Sequence, residues 1–339
     1  MCLFEMRIEV IYMDIHKEIG SFIELNFLKG LEYYSGDQVA RFNTGRAAIY
    51  NAFRILNQDI IYIPYYQCET VRDILLKYGV KIKYYYCDRE FNPLITDSTE
   101  NATILLINYF GIMSSERMCN LASRYKNVII DNSQAFFAPP IGSCMNVYST
   151  RKFIGVPDGA YLIGSHANDY LEEYEQDYSS DTSLFLLQRI EYGCEGKAYQ
   201  GKQKNDERID NSGIKRMSKL TRAILDGIDY NFIKRKRIEN FEIACSLFES
   251  INKINPKKFY DKDCVPMVYP LLIENDMVLP KLIENKVFQG HWWNYILEEA
   301  LQDSYEYCLS KNMIPITIDQ RYGEKEIKYV FNLIKQNID

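Results

Sequence analysis

Residues 146–162 read NVYSTRKFIGVPDGAYL. This stretch sets a single lysine, Lys152, between two short apolar runs with the length and composition of strands. Around it stand Ser149, Arg151, Gly155 and the pair Asp158-Gly159, residue types that turn a chain and meet anions. A lysine presented by such a loop has the chemistry of a Schiff-base nucleophile. Taken alone, a lysine between two strands reads more simply as a solvated hairpin residue. The remainder of the chain decides between the two.

Toward the N-terminus, strand and helix patterns alternate from about residue 42 to 165. Thr44 to Leu56 has helical periodicity, with Ala48, Ala52, Ile55 and Leu56 on one side and Asn43, Thr44 and Gly45 as cap candidates. IIYIPYY (60–66) is a β-rich run, ETVRDILLKYG (69–79) a helix stopped by Gly79, and KIKYYYCD (81–88) a strand. ATILLINYFG (102–111) and NVIID (127–131) are nearly continuous apolar strands that flank the amphipathic helix SSERMCNLASRYK (114–126). Strands too apolar to face water, separated by helices, imply an α/β fold with a mostly parallel sheet covered by helices. In such open sheets ligands gather at the carboxyl ends of strands and at the neighbouring helix N-termini. Gln67, Asn108, Asp131, Gln134 and the Gly45 turn all fall there.

Beyond the lysine hairpin, residues 166–215 are polar and irregular, and their composition predicts a surface loop. Periodicity resumes as one long helix from Ile214 to about Ile251. Then come short strands in CVPMVYPLLI (264–273) and KVFQ (286–289), and helices in LPKLIEN (279–285) and EIKYVFNLIKQNI (326–338). This pattern divides the chain into a large α/β domain over 1–230 and a smaller C-terminal α+β domain over 231–339.

Composition excludes several functions. Of 339 residues 47% are hydrophobic and 25% charged, and the net charge of −6 leaves no basic face for nucleic acid. The one compact basic cluster, Lys234 to Arg237, reads as the solvated side of a helix. No apolar run reaches the length of a membrane span. The start MCLFEMRIEVIYMDIHKE is interrupted by Glu5, Arg7 and Glu9, unlike a signal peptide, so a cytoplasmic location is expected. The nine cysteines form no C-x-x-C pair, and the three histidines (His16, His166, His291) have no ligand spacing, so neither a metal site nor a disulfide framework is indicated. The 28 tyrosines, many in strand-like runs, suit packing on pleated surfaces.

The segments NTGRAAIYNAF (43–53), IPYYQCETV (63–71), LINYFG (106–111) and IIDNSQAF (129–136), followed by the lysine stretch, stand in a distinctive order. That order resembles the fold-type I enzymes that use pyridoxal 5′-phosphate (PLP). From roughly residue 40 to 165 the chain is most similar to the DegT/DnrJ/EryC1/StrS sugar aminotransferases. The resemblance implies a three-layer PLP-dependent transferase fold with a smaller C-terminal α+β domain. It also implies PLP as cofactor, a homodimer with the site at the subunit interface, and amino transfer from glutamate to a nucleotide-linked keto-sugar in polysaccharide or glycoconjugate biosynthesis.

The same resemblance distributes roles. Lys152 becomes the Schiff-base lysine and proton carrier, and Asp131 the carboxylate that keeps the pyridine nitrogen protonated. Thr44, Gly45 and Arg46 meet the phosphate at a helix N-terminus, with Ser149 adding a hydroxyl. Gln134, with Asn108, reaches the ring hydroxyl, and Tyr66 or Cys68 stands where a ring-stacking residue is expected. Arg189, Tyr192 and Asn240 are candidates for binding substrate from the second subunit. Trp292 and Trp293 read first as small-domain core and second as pocket lining. The chain departs from the family in placing Ser149 three residues before the lysine, with Val147 where the family's serine stands. That S-x-x-K spacing also suits PLP lyases and desulfurases, for which Cys194 is the cysteine in the polar excursion. A noncatalytic sensor or assembly protein on the same fold is the third reading.

Overall fold

The alternation from residue 42 onward builds one eight-stranded sheet. In this computed structural model residues 20–338 are described, so the reading of the N-terminal stretch, His16 included, lies outside them. The strands are β1 (Val39–Phe42), β2 (Ile60–Pro64), β3 (Lys81–Cys87), β4 (Pro93–Leu94), β5 (Ala102–Ile107), β6 (Asn127–Asp131), β7 (Met145–Ser149) and β8 (Ala160–Ile163). Their order is β1-β8-β7-β6-β5-β2-β3-β4. The neighbours from β7 through β3 are parallel. β8 is antiparallel to both β1 and β7, and β4 to β3.

Both faces of the sheet are covered, as the unbroken apolar runs require. All six residues of β5 are buried, and its apolar residues divide between two clusters. Leu105 and Ile129 face the side packed by α1 (Gly45–Leu56) and α2 (Glu69–Lys77). Ile104, Leu106, Val128 and Ile130 face the side packed by α3 (Ser115–Ala122) and the C-terminal elements. α1 buries Ala47, Ala48 and Ala52, small residues that let its axis lie close to the sheet. Thr44 caps it, with Oγ1 accepting from the Ala47 amide at 3.2 Å.

Three expectations are corrected. The 166–215 excursion is largely helical, carrying α4 (Leu184–Tyr192) and α5 (Lys197–Asn211). α5 turns only Ala198, Asn205 and Ile209 inward, a stripe too narrow to register as amphipathic in so polar a sequence. The long helix is two, α6 (Lys219–Asp226) and α7 (Tyr230–Phe248), each restarted by its own cap, Ser218 and Asp229. The break falls where the backbone of Leu28 crosses Gly227, whose added Cβ would lie 2.9 Å from the Leu28 carbonyl oxygen. Thirdly, the KVFQ stretch forms no strand, and Phe288 within it is exposed. The partner of β9 (Val268–Leu272) is β10 (Met313–Thr317), antiparallel to it.

The remaining helices are α8 (Val278–Glu284), α9 (Ile296–Glu299), α10 (Tyr305–Asn312) and α11 (Glu324–Lys335). Phe248 of α7 packs against Tyr269 and Phe331, at ring separations of 5.4 and 5.3 Å, joining α7, β9 and α11. Among the described residues no helix is long and apolar enough to cross a membrane.

The basic cluster is not uniformly solvated. Arg237 is only 2% exposed. Its Nη1 donates to the Met267 carbonyl at 2.9 Å, its Nε to Gln320 Oε1 at 3.0 Å, and its guanidinium lies 4.4 Å from the Phe153 ring centroid. Burial pushes its pKa down to about 10, against the opposing field of Asp319. Arg237→Ala would orphan the Met267 carbonyl and the Gln320 amide oxygen and empty the space over Phe153. A loss of about 3 kcal/mol is expected in the urea unfolding midpoint converted through a shared slope. A variant as stable as the parent would mean these contacts are replaced at no cost.

Candidate active site

The carboxyl ends of β2, β5, β6 and β7 bring Gln67, Asn108, Asp131 and Ser149 to one edge of the sheet. Asp131 ends β6 and is 8% exposed. Its Oδ1 accepts from the Ser133 amide at 2.8 Å, and its Oδ2 takes no bond among the described residues. Asn108 laces β5 to β6: Nδ2 donates to Asn132 Oδ1 at 3.2 Å and Oδ1 accepts from the Met113 amide at 3.3 Å. Both ends of its carboxamide are therefore engaged within the fold. Gln134 Oε1 accepts from the Phe110 amide at 2.7 Å and holds Phe110 at φ 60°. Its Nε2 makes no bond among the described residues. The next residue, Gly111, has φ +72°, and a Cβ there would fall 2.4 Å from the Gln134 carbonyl oxygen, so the turn admits only glycine.

The start of α1 closes against β6 and β7. A Cβ on Gly45 would sit 3.1 Å from Ser133 Oγ and 4.0 Å from both Ser149 Cβ and Val147 Cγ1, so the absent side chain leaves a small seat with the Ser133 hydroxyl on one side. The amides of Gly45 and Arg46 open α1 with no acceptor among the described residues. With the helix dipole behind them, they present positive charge to that seat. The Arg46 guanidinium turns away, to Asp210 Oδ1 at 2.9 Å and the Ile209 carbonyl at 2.7 Å on α5.

The lysine loop is held at nearly every residue except the lysine. Thr150 Oγ1 donates to the Gly159 carbonyl at 2.8 Å, and the Gly159 amide to the Asn43 carbonyl at 2.6 Å, which ties the loop to the start of α1. Arg151 pairs with Asp206 at 2.5 Å, Gln320 Nε2 donates to the Phe153 carbonyl at 2.8 Å, and Asn205 Nδ2 to the Pro157 carbonyl at 2.8 Å. Asp158 is wholly buried; its carboxylate accepts the Ser218 amide at 2.8 Å, the Ser218 hydroxyl at 2.6 Å and the Thr221 hydroxyl. Lys152 itself is exposed, and its ammonium has no partner among the described residues.

Asp158 makes a stability prediction with a sign. Burial holds its carboxyl above the ordinary range, and the bonds from Ser218 and Thr221 offset this only in part. The folded protein thus binds this proton more tightly than the unfolded chain does. Its contribution is fully present below the ordinary carboxylate pKa and is lost as pH rises through the higher folded value. Asp158→Ala should flatten that descent in a pH series of urea unfolding curves. It should also cost about 2 kcal/mol at neutral pH, by orphaning the Ser218 amide and two hydroxyls. An unchanged slope would assign the pH dependence to other carboxylates.

The remaining candidates divide. Tyr66 is 1% exposed, edge-on to Trp293 at 4.5 Å and 5.7 Å from Tyr109, with its hydroxyl unpaired. Trp292 stacks 5.8 Å from Phe110, so the two half-buried tryptophans pack onto the turn that follows β5 and onto Tyr66. Cys68 is half-buried at the start of α2, its Sγ 3.2 Å from Thr70 Oγ1. Arg189 is half-buried and Tyr192 exposed, both on α4, and Cys194 follows that helix. Asn240 is wholly buried and gives Nδ2 to the carbonyls of Ile318, Asp319 and Tyr322, while its Oδ1 has no partner among the described residues. Sequence reasoning gave no role to Ser133, which shares the Gly45 seat, and its position two residues after Asp131 was the available signal. Among the described residues no three His, Cys, Asp or Glu side chains group as metal ligands.

No protein-family profile matches the sequence, and no curated protein sequence matches it. The fold, by contrast, is that of the fold-type I PLP-dependent sugar aminotransferases of the DegT/DnrJ/EryC1/StrS group. Three solved structures show the likeness. One is a DegT DnrJ EryC1 StrS aminotransferase from Brucella abortus: TM-score 0.60, 12% identity, 89% of this chain and 86% of that one. A sugar aminotransferase from Micromonospora echinospora gives TM-score 0.56 at 15% identity, over 88% and 87% of the two chains. The E. coli GDP-4-keto-6-deoxy-D-mannose-3-dehydratase with bound hydrated PLP gives 0.61 at 14%, over 87% of each. At such identities the likeness is one of fold.

Proposed function

We propose that this protein is a PLP-dependent aminotransferase that moves an amino group from glutamate to a keto-sugar carried on a nucleotide, in the cytoplasm. The observation that carries the reading is the Lys152 ammonium, without a partner among the described residues, in a loop tied down through Thr150, Arg151, Phe153, Pro157 and Asp158. It sits at the same sheet edge as Asp131, whose Oδ2 is also uncommitted. The seat at Gly45 suits a phosphate: two helix-start amides without an acceptor among the described residues open onto a space that a Cβ would fill, with the Ser133 hydroxyl 3.1 Å and the Ser149 Cβ 4.0 Å from it.

In this reading Gly45, Arg46, Ser133 and Ser149 hold the phosphate, Arg46 through its backbone only. Asp131 holds a proton on the ring nitrogen, Gln134 Nε2 donates to the ring hydroxyl, and Cys68 lies against the ring face. When bound, PLP supplies an aldehyde that captures amines and a ring that accepts an electron pair. Lys152 Nζ takes the proton from the donor's α-carbon and returns one to the acceptor. A second copy of the chain covers the bare face of α4, where Leu184, Leu187, Ile190 and Tyr192 are exposed. Leu186 of the same helix lies 3.8 Å from the Cβ position of Gly155 in the lysine loop, so a homodimer would close over the site.

The test is direct. Purified protein mixed with PLP should gain a visible absorption band, and borohydride should fix the cofactor to the peptide carrying Lys152. A protein that shows no such band once unbound PLP has been removed by gel filtration is not a PLP enzyme.

A further inference from the structure

The turn from Tyr65 to Cys68, between β2 and α2, is fixed through its carbonyls. Tyr295 Oη donates to the Tyr65 and Gln67 carbonyl oxygens, at 3.1 and 3.0 Å, and Tyr109 Oη to that of Tyr66 at 2.8 Å. Two polar side chains of the same turn, Tyr66 and Gln67, are left open. Gln67 is 1% exposed, yet among the described residues neither Nε2 nor Oε1 has a hydrogen-bond partner. The Tyr66 hydroxyl beside it is likewise buried and unpaired, and α2 begins at Cys68 without a side-chain cap.

A buried carboxamide missing both its donor and its acceptor bonds is costly, and most buried polar groups in folded proteins avoid that state. Here the cost falls on the residue next to Cys68, at the carboxyl edge shared with Asp131 and Ser149. The type of group missing follows from the valences. A carboxylate or phosphate oxygen only accepts, and would leave Oε1 orphaned. A hydroxyl both donates and accepts, and adjacent ring hydroxyls satisfy both ends of a carboxamide at once.

We propose that Gln67 is a specificity-determining residue that reads hydroxyl groups of the ligand's ring, rewarding a hydroxylated ligand over a deoxygenated or carboxylate-bearing one. This rests on the reading of the site given above. Gln67 acts by pairing with the ligand and carries no proton.

The experiment uses the full chain with Gln67→Leu, which has nearly the same volume and no polar atoms, and Gln67→Glu, which accepts but does not donate when ionised. Three readouts are taken: thermal unfolding of the cofactor-free protein, the PLP titration, and binding of UDP-glucose, dTDP-glucose and GDP-mannose, each against its own nucleotide without sugar. The expected result has three parts. Gln67→Leu unfolds about 2 °C higher than the parent without cofactor, because the orphaned amide is gone. PLP binding is unchanged in Gln67→Leu. The gain in affinity that the sugar adds over the bare nucleotide falls about tenfold in both variants.

A Gln67→Leu protein that unfolds lower than the parent means the amide is satisfied within the fold or by fixed water, and overturns the proposal. An unchanged sugar increment in the variants, or no sugar increment in the parent, overturns it as well. If the parent takes no PLP, the enzyme reading fails by itself, while the unfolding comparison and the sugar increment still decide what Gln67 does.

Discussion

Lys152→Ala is expected to lower amino transfer by at least about 10⁴-fold, the loss that follows when both a nucleophile and a proton carrier are removed. The size follows from how the loop is built. Arg151, Phe153 and Pro157 are held by Asp206, Gln320 and Asn205, so the loop keeps its shape when the lysine side chain is removed. Because the Lys152 side chain makes no contact that the fold needs, the variant should unfold at the parent's midpoint. Added ethylamine should restore part of the rate, since a free amine can then carry the proton. A variant that keeps a tenth of the parent rate would show that the amine chemistry resides elsewhere.

Asp131→Asn is the second large effect. Asparagine keeps an oxygen for the Ser133 amide, which Asp131 Oδ1 binds at 2.8 Å, and removes only the charge. Turnover is expected to fall about 10² to 10³-fold with little change in unfolding midpoint, because a neutral amide no longer favours the protonated ring. The check is kcat beside a PLP titration and a urea curve on one preparation. Full activity would place the ring's partner at another residue.

Much of the fold that carries the candidate site was legible from the sequence, for reasons that can be named. ATILLI and NVIID are buried on both faces, and only a covered sheet tolerates such runs. Thr44 was recognisable as a cap because its hydroxyl serves its own helix, a local matter. What stayed hidden depends on distant partners. β10 carries Pro315 in the middle of its short apolar run, and its pairing with β9 crosses more than forty residues, so KVFQ, nearer in sequence, took its place. α4 buries no residue, and α5 shows its inner stripe only where residues 157 and 177–182 receive it. Arg237 looked solvated because nothing in KRKR distinguishes the arginine that finds Phe153 and Gln320. Asn108, a natural ligand by position, is consumed by the Met113 amide and Asn132.

The antiparallel insertion of β8 has a consequence for how the protein comes to be active. β1 pairs with no strand of its own neighbourhood; Val39 to Phe42 waits for Ile163 to Ala160, about 120 residues later in the chain. Closing so long a loop belongs to the slow part of folding. The segment that enters α1 and the segment that ends the lysine loop meet in that same closure, through Asn43 and Gly159. During synthesis, therefore, the loop that carries Lys152 and the start of α1 at Gly45 are finished in one event. A nascent chain lacking β8 would carry neither in its final place.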